Sequence, residues 1–192
     1  MKGFIIYPTY RTIGNEAYIH LYGRLENGQS FLTINKLKPY FFIKASDLKR
    51  TEKLEKVTSE KTDLTNFKKD QVIKIILSLP TEVPDIRSKF EKNDIECYEA
   101  DIRFTYRFLI DKKIQGSLEI EGEYEQGRQI DRIYKEPDLS PAEYIPKNLK
   151  VLSLDIETSI DGKKLYCISL YSEKYQKSFI VSKNKFKDTI SC

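Results

Sequence analysis

The chain holds no tryptophan, one histidine and three widely spaced cysteines, and each scarcity excludes a chemistry. With His20 alone, neither a histidine-based metal cluster nor a Ser-His-Asp triad can be assembled. Cys97, Cys167 and Cys192 are odd in number and lie in apolar sequence contexts. They suit buried free thiols in a reducing compartment better than disulfides or a zinc site. The opening Met1-Lys2-Gly3-Phe4 is too short an apolar run for a signal peptide. No stretch approaches the roughly 20 apolar residues of a membrane span. Internal repeats and low-complexity blocks are also missing. The expectation is a cytoplasmic protein without a membrane partner.

What is present is ordinary in balance and unusual in aromatics. The 192 residues carry 33 basic and 29 acidic side chains for a net charge of +4, enough to tolerate a polyanion without being a polybasic binder. Forty per cent is apolar and 32% charged, as in a globular protein able to bury one good core or two small ones. Thirteen tyrosines and ten phenylalanines serve either core filling or base stacking, and composition does not separate the two.

Period-two alternation predicts strands at Phe4–Tyr7, Ala17–Leu25, Ser30–Asn35 and Tyr40–Ile43, with a tight turn at Asn27-Gly28. His20 reads as a polar-face strand residue. Ser46 is placed to cap a lysine-rich helix from Asp47 to about Val57, whose Lys49, Arg50, Lys53 and Lys56 read as a solvated face rather than phosphate contacts. An isoleucine-rich strand over Gln71–Leu79, a helix from Thr81 to Lys92 and a strand over Ile95–Glu99 follow. The succession strand, helix, strand, helix, strand is that of ferredoxin-like and RNA-recognition folds. Gln71–Leu79 carries no aromatic, so base stacking on that strand is not inferred. A helix over Ile102–Lys113, closed by Gly116, precedes a hairpin of Ser117–Tyr124 with Arg128–Lys135 around Gln126-Gly127. Pro137, Pro141 and Pro146 then mark an extended linker. The expected organisation is α+β, with a β-rich domain over 1–136, a linker over 137–149 and a second domain over 150–192.

The second domain carries the chemistry. Val151-Leu152-Ser153-Leu154 reads as a buried strand, and Asp155 and Glu157 arrive at its end two residues apart, on one face. Ile156 between them points into a core. Two carboxylates on one face repel unless a cation or a proton lies between them, and hard divalent ions prefer such oxygens. A turn at Ile160–Lys163 and strands at Leu165–Tyr171 and Ser178–Val181 complete the opening of a ribonuclease-H-like nuclease sheet.

Leu154-Asp155-Ile156-Glu157-Thr158 resembles the first exonuclease motif of family B DNA polymerases. Pro39-Tyr40-Phe41-Phe42 is similar to that family's Pro-Tyr-Phe-Tyr strand. Tyr98 to Phe104, followed by Arg107 to Lys112, is similar to the segment joining its amino-terminal domain to its exonuclease. The resemblance covers the whole chain. It implies that Asp155 and Glu157 bind the Mg²⁺ or Mn²⁺ ions of a 3′–5′ proofreading site, with Glu157 also near the attacking water. It further implies a pocket that captures template uracil, its lining matching Tyr7, Pro39, Tyr40, Pro80, Val83, Ile102, Phe104 and Arg107. Small apolar walls with backbone donors suit a flipped pyrimidine that carries no 5-methyl group. The same positions could equally be core and hinge. The implied partners are primer-template and single-stranded template DNA, the rest of the polymerase on another chain, and a sliding clamp.

The second and third exonuclease motifs and the polymerase palm are absent from these residues. A two-metal site needs about three or four carboxylates, and this sequence supplies two. The isolated chain is therefore expected to be catalytically silent. It would be an amino-terminal piece of such a polymerase or one half of a split one. The alternative is a stand-alone single-stranded DNA-binding module, or a scaffold, in which the acidic pair is inert.

Overall fold

In the computed structural model, residues 1–147, 149–182 and 185–189 are described. They divide into two compact units, Met1–Pro146 and Lys147–Cys192. Three α-helices and fifteen strands among the described residues make a strand-rich α+β structure.

The first unit holds two sheets. A seven-stranded sheet is built from β1 (Lys2–Ile13), β2 (Glu16–Leu25), β3 (Ser30–Lys36), β8 (Ser117–Glu121), β9 (Tyr124–Glu125), β10 (Arg132–Lys135) and β11 (Asp138–Pro141), in the order β11-β8-β1-β2-β3-β10-β9. Alternation along β2 puts Ile19, Leu21 and Leu25 into a core with Ile5, Phe31, Leu118 and Ile120, onto which α3 (Phe104–Asp111) lays Phe108. The second sheet takes β4 (Tyr40–Lys44), β5 (Thr58–Thr65), β6 (Gln71–Ile76) and β7 (Cys97–Tyr98) in the order β5-β6-β4-β7, each neighbouring pair antiparallel. Its core joins Phe41, Ile43, Ile73 and Ile75 to Phe90 of α2 (Glu82–Glu91), with Leu48 and Leu54 of α1 (Leu48–Leu54) against it.

Several sequence expectations change here. The sequence reading has no strand at β5, because its Thr-Ser-Glu-Lys-Thr-Asp-Leu-Thr run is almost wholly exposed; ladder pairing with β6 holds it, with Thr62 Oγ1 donating to the Val72 carbonyl at 3.0 Å. Ser46 does not cap the first helix. A 3₁₀ turn at Ala45–Asp47 leads into α1, and Arg50 pairs with Asp47 at 2.9 Å instead. Segments 117–124 and 128–135 do not form one hairpin. β8 pairs with β1 and β11, whereas β10 runs parallel to β3, and only Tyr124–Glu125 turns back on Ile133–Tyr134. Alternation identified the strands, and the free edges of the amino-terminal meander chose their partners. The linker expected from residue 137 is partly a strand, β11, whose edge position tolerates Pro141 because no ladder donor is needed there. Lys113, at φ 57°, rather than Gly116, takes the left-handed position after α3. His20 lies on the face opposite the core as expected, yet it is buried, with Nδ1 unpartnered.

The second unit is an antiparallel meander of β12 (Ser153–Thr158), β13 (Leu165–Ser172), β14 (Tyr175–Ser182) and β15 (Lys185–Thr189). β12 is its edge strand and all six residues are exposed, contrary to the buried strand expected. Leu154 is 57% and Ile156 49% exposed, so Ile156 does not enter a core. The physical reason is the absence of a second layer: the described residues of this unit contain no helix to cover the sheet. Cys97 and Cys167 are half-buried free thiols rather than fully buried ones, and Cys192 lies outside the described residues.

Candidate functional sites

The acidic pair keeps its geometry despite its exposure. Asp155 faces Ser169 and Glu157 faces Cys167 in unbroken register, so both carboxylates leave the same side of β12. The register shifts only after Glu157. On that side Ser169 Oγ lies 3.1 Å from Ser178 Oγ. Asp155 Oδ1 accepts the Ile156 N–H at 3.1 Å. Two carboxylates two residues apart fit part of an octahedral oxygen shell, the remainder coming from water or substrate. Among the described residues, no group of three or more histidine, cysteine, aspartate or glutamate side chains is placed to hold a metal. The pair is therefore a partial ligand set, and two-metal hydrolysis needs further carboxylates.

A second site lies in the first unit. Pro8–Tyr10 of β1, Pro39 and Tyr40 at the start of β4, Pro80 and Val83 around the first turn of α2, and Glu99–Arg107 leading into α3 surround a cleft of about 400 Å³. That volume falls among ligand pockets, about 300–1,000 Å³. Seven residues singled out from the sequence line it: Pro39, Tyr40, Pro80, Val83, Ile102, Phe104 and Arg107. Tyr7 does not. A β-bulge between Ile5 and Tyr7 resets the alternation, so Tyr7 opposes Tyr22 with ring centroids 6.3 Å apart, and Pro8 and Tyr10 reach the cleft in its place.

The floor of the cleft is a connected polar group. Arg107, 6% exposed, sets its guanidinium 4.8 Å from the Tyr40 ring centroid and 2.7 Å from Glu99 Oε2. The Tyr40 hydroxyl donates to Asp111 Oδ1 at 2.6 Å. Burial, and after it that hydrogen bond, push the Tyr40 phenol well above its ordinary range, so it remains a neutral donor. Glu99 holds φ 58°, a left-handed conformation costly for a residue with a side chain, and its carbonyl also accepts from Arg107. Phe104 packs edge-on against Tyr10 at 5.4 Å. The first turn of α3 opens on the cleft, and amides at a helix start have no acceptor within the helix. The site can thus grip a flat polar ring between small apolar walls, with fixed donors at its base.

Glu99 and Asp111 were not flagged by sequence. Asp111 left a signal, since Arg107 and Asp111 are four apart on a helix and share a face. Glu99 left none.

Comparison with known proteins bears on both sites. Residues 95–182 match the family model for the exonuclease domain of family B DNA polymerases, a span that contains α3, Asp155 and Glu157. A DNA polymerase of Methanocaldococcus jannaschii is 38% identical over 128 residues, 57% of this chain and 8% of that one. A DNA polymerase of Archaeoglobus fulgidus is 29% identical over 174 residues, 82% of this chain and 21% of that one. The solved family B DNA polymerase of Pyrobaculum calidifontis superimposes with a TM-score of 0.70 over 95% of this chain and 27% of its own, at 18% identity. That last likeness concerns the fold. The chain spans about a fifth or less of these curated relatives.

Proposed function

We propose that the chain belongs to family B of the DNA polymerases, that its first unit binds single-stranded template DNA and captures uracil in the cleft, and that its second unit carries two ligands of a 3′–5′ exonuclease. The observation that carries the reading is the family match over 95–182, which joins the cleft-forming α3 and the paired carboxylates of β12 in one recognised segment.

In the cleft, Pro39, Pro80, Val83 and Phe104 supply flat apolar walls, Arg107 and the amides of α3 supply donors, and the Tyr40 hydroxyl, its proton given to Asp111, offers an acceptor lone pair. A base turned out of a strand would lie against these walls and bond through its edge. In the second unit, Asp155 and Glu157 would hold Mg²⁺ or Mn²⁺, whose chemistry is to lower the pKa of a bound water and to steady the leaving oxygen. The strand order β5-β6-β4-β7, with α1 and α2 as crossovers, supports the ferredoxin-like reading of the first unit. The strand-pair-hairpin pattern of β12 to β14 supports a ribonuclease-H-like origin for the second. The remaining carboxylates, the polymerase palm and a sliding clamp belong to other segments or chains, so the 192 residues alone are catalytically silent. The cytoplasm is the proposed location.

Titrating the chain with a fluorescent single strand containing one uracil, against the same strand with thymine, tests the reading. Binding should be tighter to uracil by tenfold or more, and Arg107→Ala should abolish the difference. Equal affinity for the two strands would leave a general DNA-binding or scaffold module. Incubation of the same chain with a 3′-labelled strand and Mg²⁺ should release no nucleotide. Release that Asp155→Ala abolished would overturn the catalytic silence.

A further inference from the structure

Phe67 is the most exposed aromatic in the first unit, fully open to solvent at 107% of its reference area. It stands at the tip of the β5–β6 hairpin, and neither it nor the rest of the tip lines the cleft. Nothing about the tip is loose. The Asn66 side-chain oxygen accepts the Lys68 and Asp70 amides, each at 2.9 Å. Its side-chain nitrogen donates to Asp70 Oδ2 and to the Tyr98 hydroxyl, both at 3.1 Å. The Asn66 amide donates to the Asp70 carbonyl at 2.9 Å, the Lys69 amide to the Asn66 carbonyl at 3.0 Å, and Lys69 adopts φ 68°. One asparagine thus fixes the whole turn, much as an Asx turn does, and tethers it to the neighbouring strand.

Charge then selects what Phe67 meets. Asp70 is compensated by Lys44 at 3.0 Å, which holds the Asp70 carboxyl below its ordinary range. Lys68 and Lys69 are exposed, and among the described residues neither lies within 4.0 Å of a carboxylate. A preorganised aromatic face followed directly by two exposed ammonium groups matches a single-stranded nucleic acid, in which a stackable base alternates with phosphates. A protein pocket complementary to Phe67 would not call for both adjoining charges.

We infer that the Asn66–Asp70 tip is a second nucleic-acid contact, in which Phe67 stacks on an unpaired base and Lys68 and Lys69 pair with its flanking phosphates. The contact is indifferent to base identity, unlike the cleft, and it rests on the reading that the chain binds single-stranded DNA.

Because the chain has no tryptophan, Phe67→Trp places a single tryptophan, excited selectively over the thirteen tyrosines, at the tip. Adding a plain oligothymidine strand to the full chain should quench that fluorescence as the strand binds. Phe67→Ala should weaken binding of the same strand about tenfold, the size expected for one stacked base. Lys68→Ala with Lys69→Ala should lower the log-log salt slope by about 1.4, from about 0.7 per phosphate contact. Uracil preference, read separately on paired strands, should survive all three changes. Unchanged tryptophan emission while the strand binds, or unchanged affinity in Phe67→Ala, would overturn the contact and leave the cleft reading intact. Loss of uracil preference in the unmodified chain would count against the cleft instead.

Discussion

At the scale of single residues, His20 shows how burial becomes a pH dependence. Its imidazole is 7% exposed with Nδ1 unpartnered, and burial, then the nearby Arg11 charge, hold its pKa below the ordinary value. The unfolded chain takes up a proton near pH 6.5 while the folded chain still refuses it. Stability from this group is therefore complete above about pH 7.5 and falls as the pH drops through 6.5, by at most about 1.4 kcal/mol per pH unit. Urea midpoints at pH 7.5, 6.5 and 5.5 should decline, and His20→Gln should flatten that decline. An unchanged slope in the variant would assign it to other groups. Arg107 teaches a related lesson. Its charge is tolerated inside because Glu99 pairs with it and the Tyr40 face lies under it, so it helps to shape the cleft as well as to donate into it.

At the scale of elements, β1, β2 and β3 approach one another closely at Gly23. A Cβ built on Gly23 would come within 2.1 Å of the Phe4 carbonyl oxygen and 2.5 Å of the Phe31 ring. The first of these is backbone and cannot swing away. Gly23→Ala should cost about 1–3 kcal/mol or more, measured by chemical denaturation, because strands β1 and β3 must both shift. Gly116→Ala, whose Cβ would sit 3.3 Å from the movable Phe4 ring, should cost much less. Equal losses would mean that the close approach at Gly23 relaxes freely. The same three strands contain the bulge that turns Tyr7 out of the cleft and Pro8 and Tyr10 in.

For the whole molecule, the consequence of two units is unequal protection. The first has two cores, each with a helix against its sheet, while the described part of the second is a bare meander with exposed Leu154, Ile156 and Tyr171. Residues 142–147 and 149–152 lie between strands and are largely exposed. Brief trypsin treatment should cut at Lys147 or Lys150 before any site in β2 or β4, leaving a fragment close to the first unit, as mass spectrometry would show. Earlier cleavage inside β2 or β4 would contradict a stable first unit.

Sequence by itself determined the local conformations and the one-sided placement of Asp155 and Glu157, because alternation is a property of neighbouring residues. It also carried the resemblance to family B DNA polymerases, through the acidic motif and the segment from Tyr98 to Lys112. Tertiary structure alone decided the partners: β8 on β1, β10 parallel to β3, β11 in place of a linker, and β5, whose polar residues betray no burial. It also gathered Pro8, Tyr40, Val83 and Phe104 from four separate segments into one cleft, and left β12 at an exposed edge. The reason is physical. A strand's periodicity is written in its own residues, but which edge is free to receive it, and which layer covers it, depends on chain many residues away.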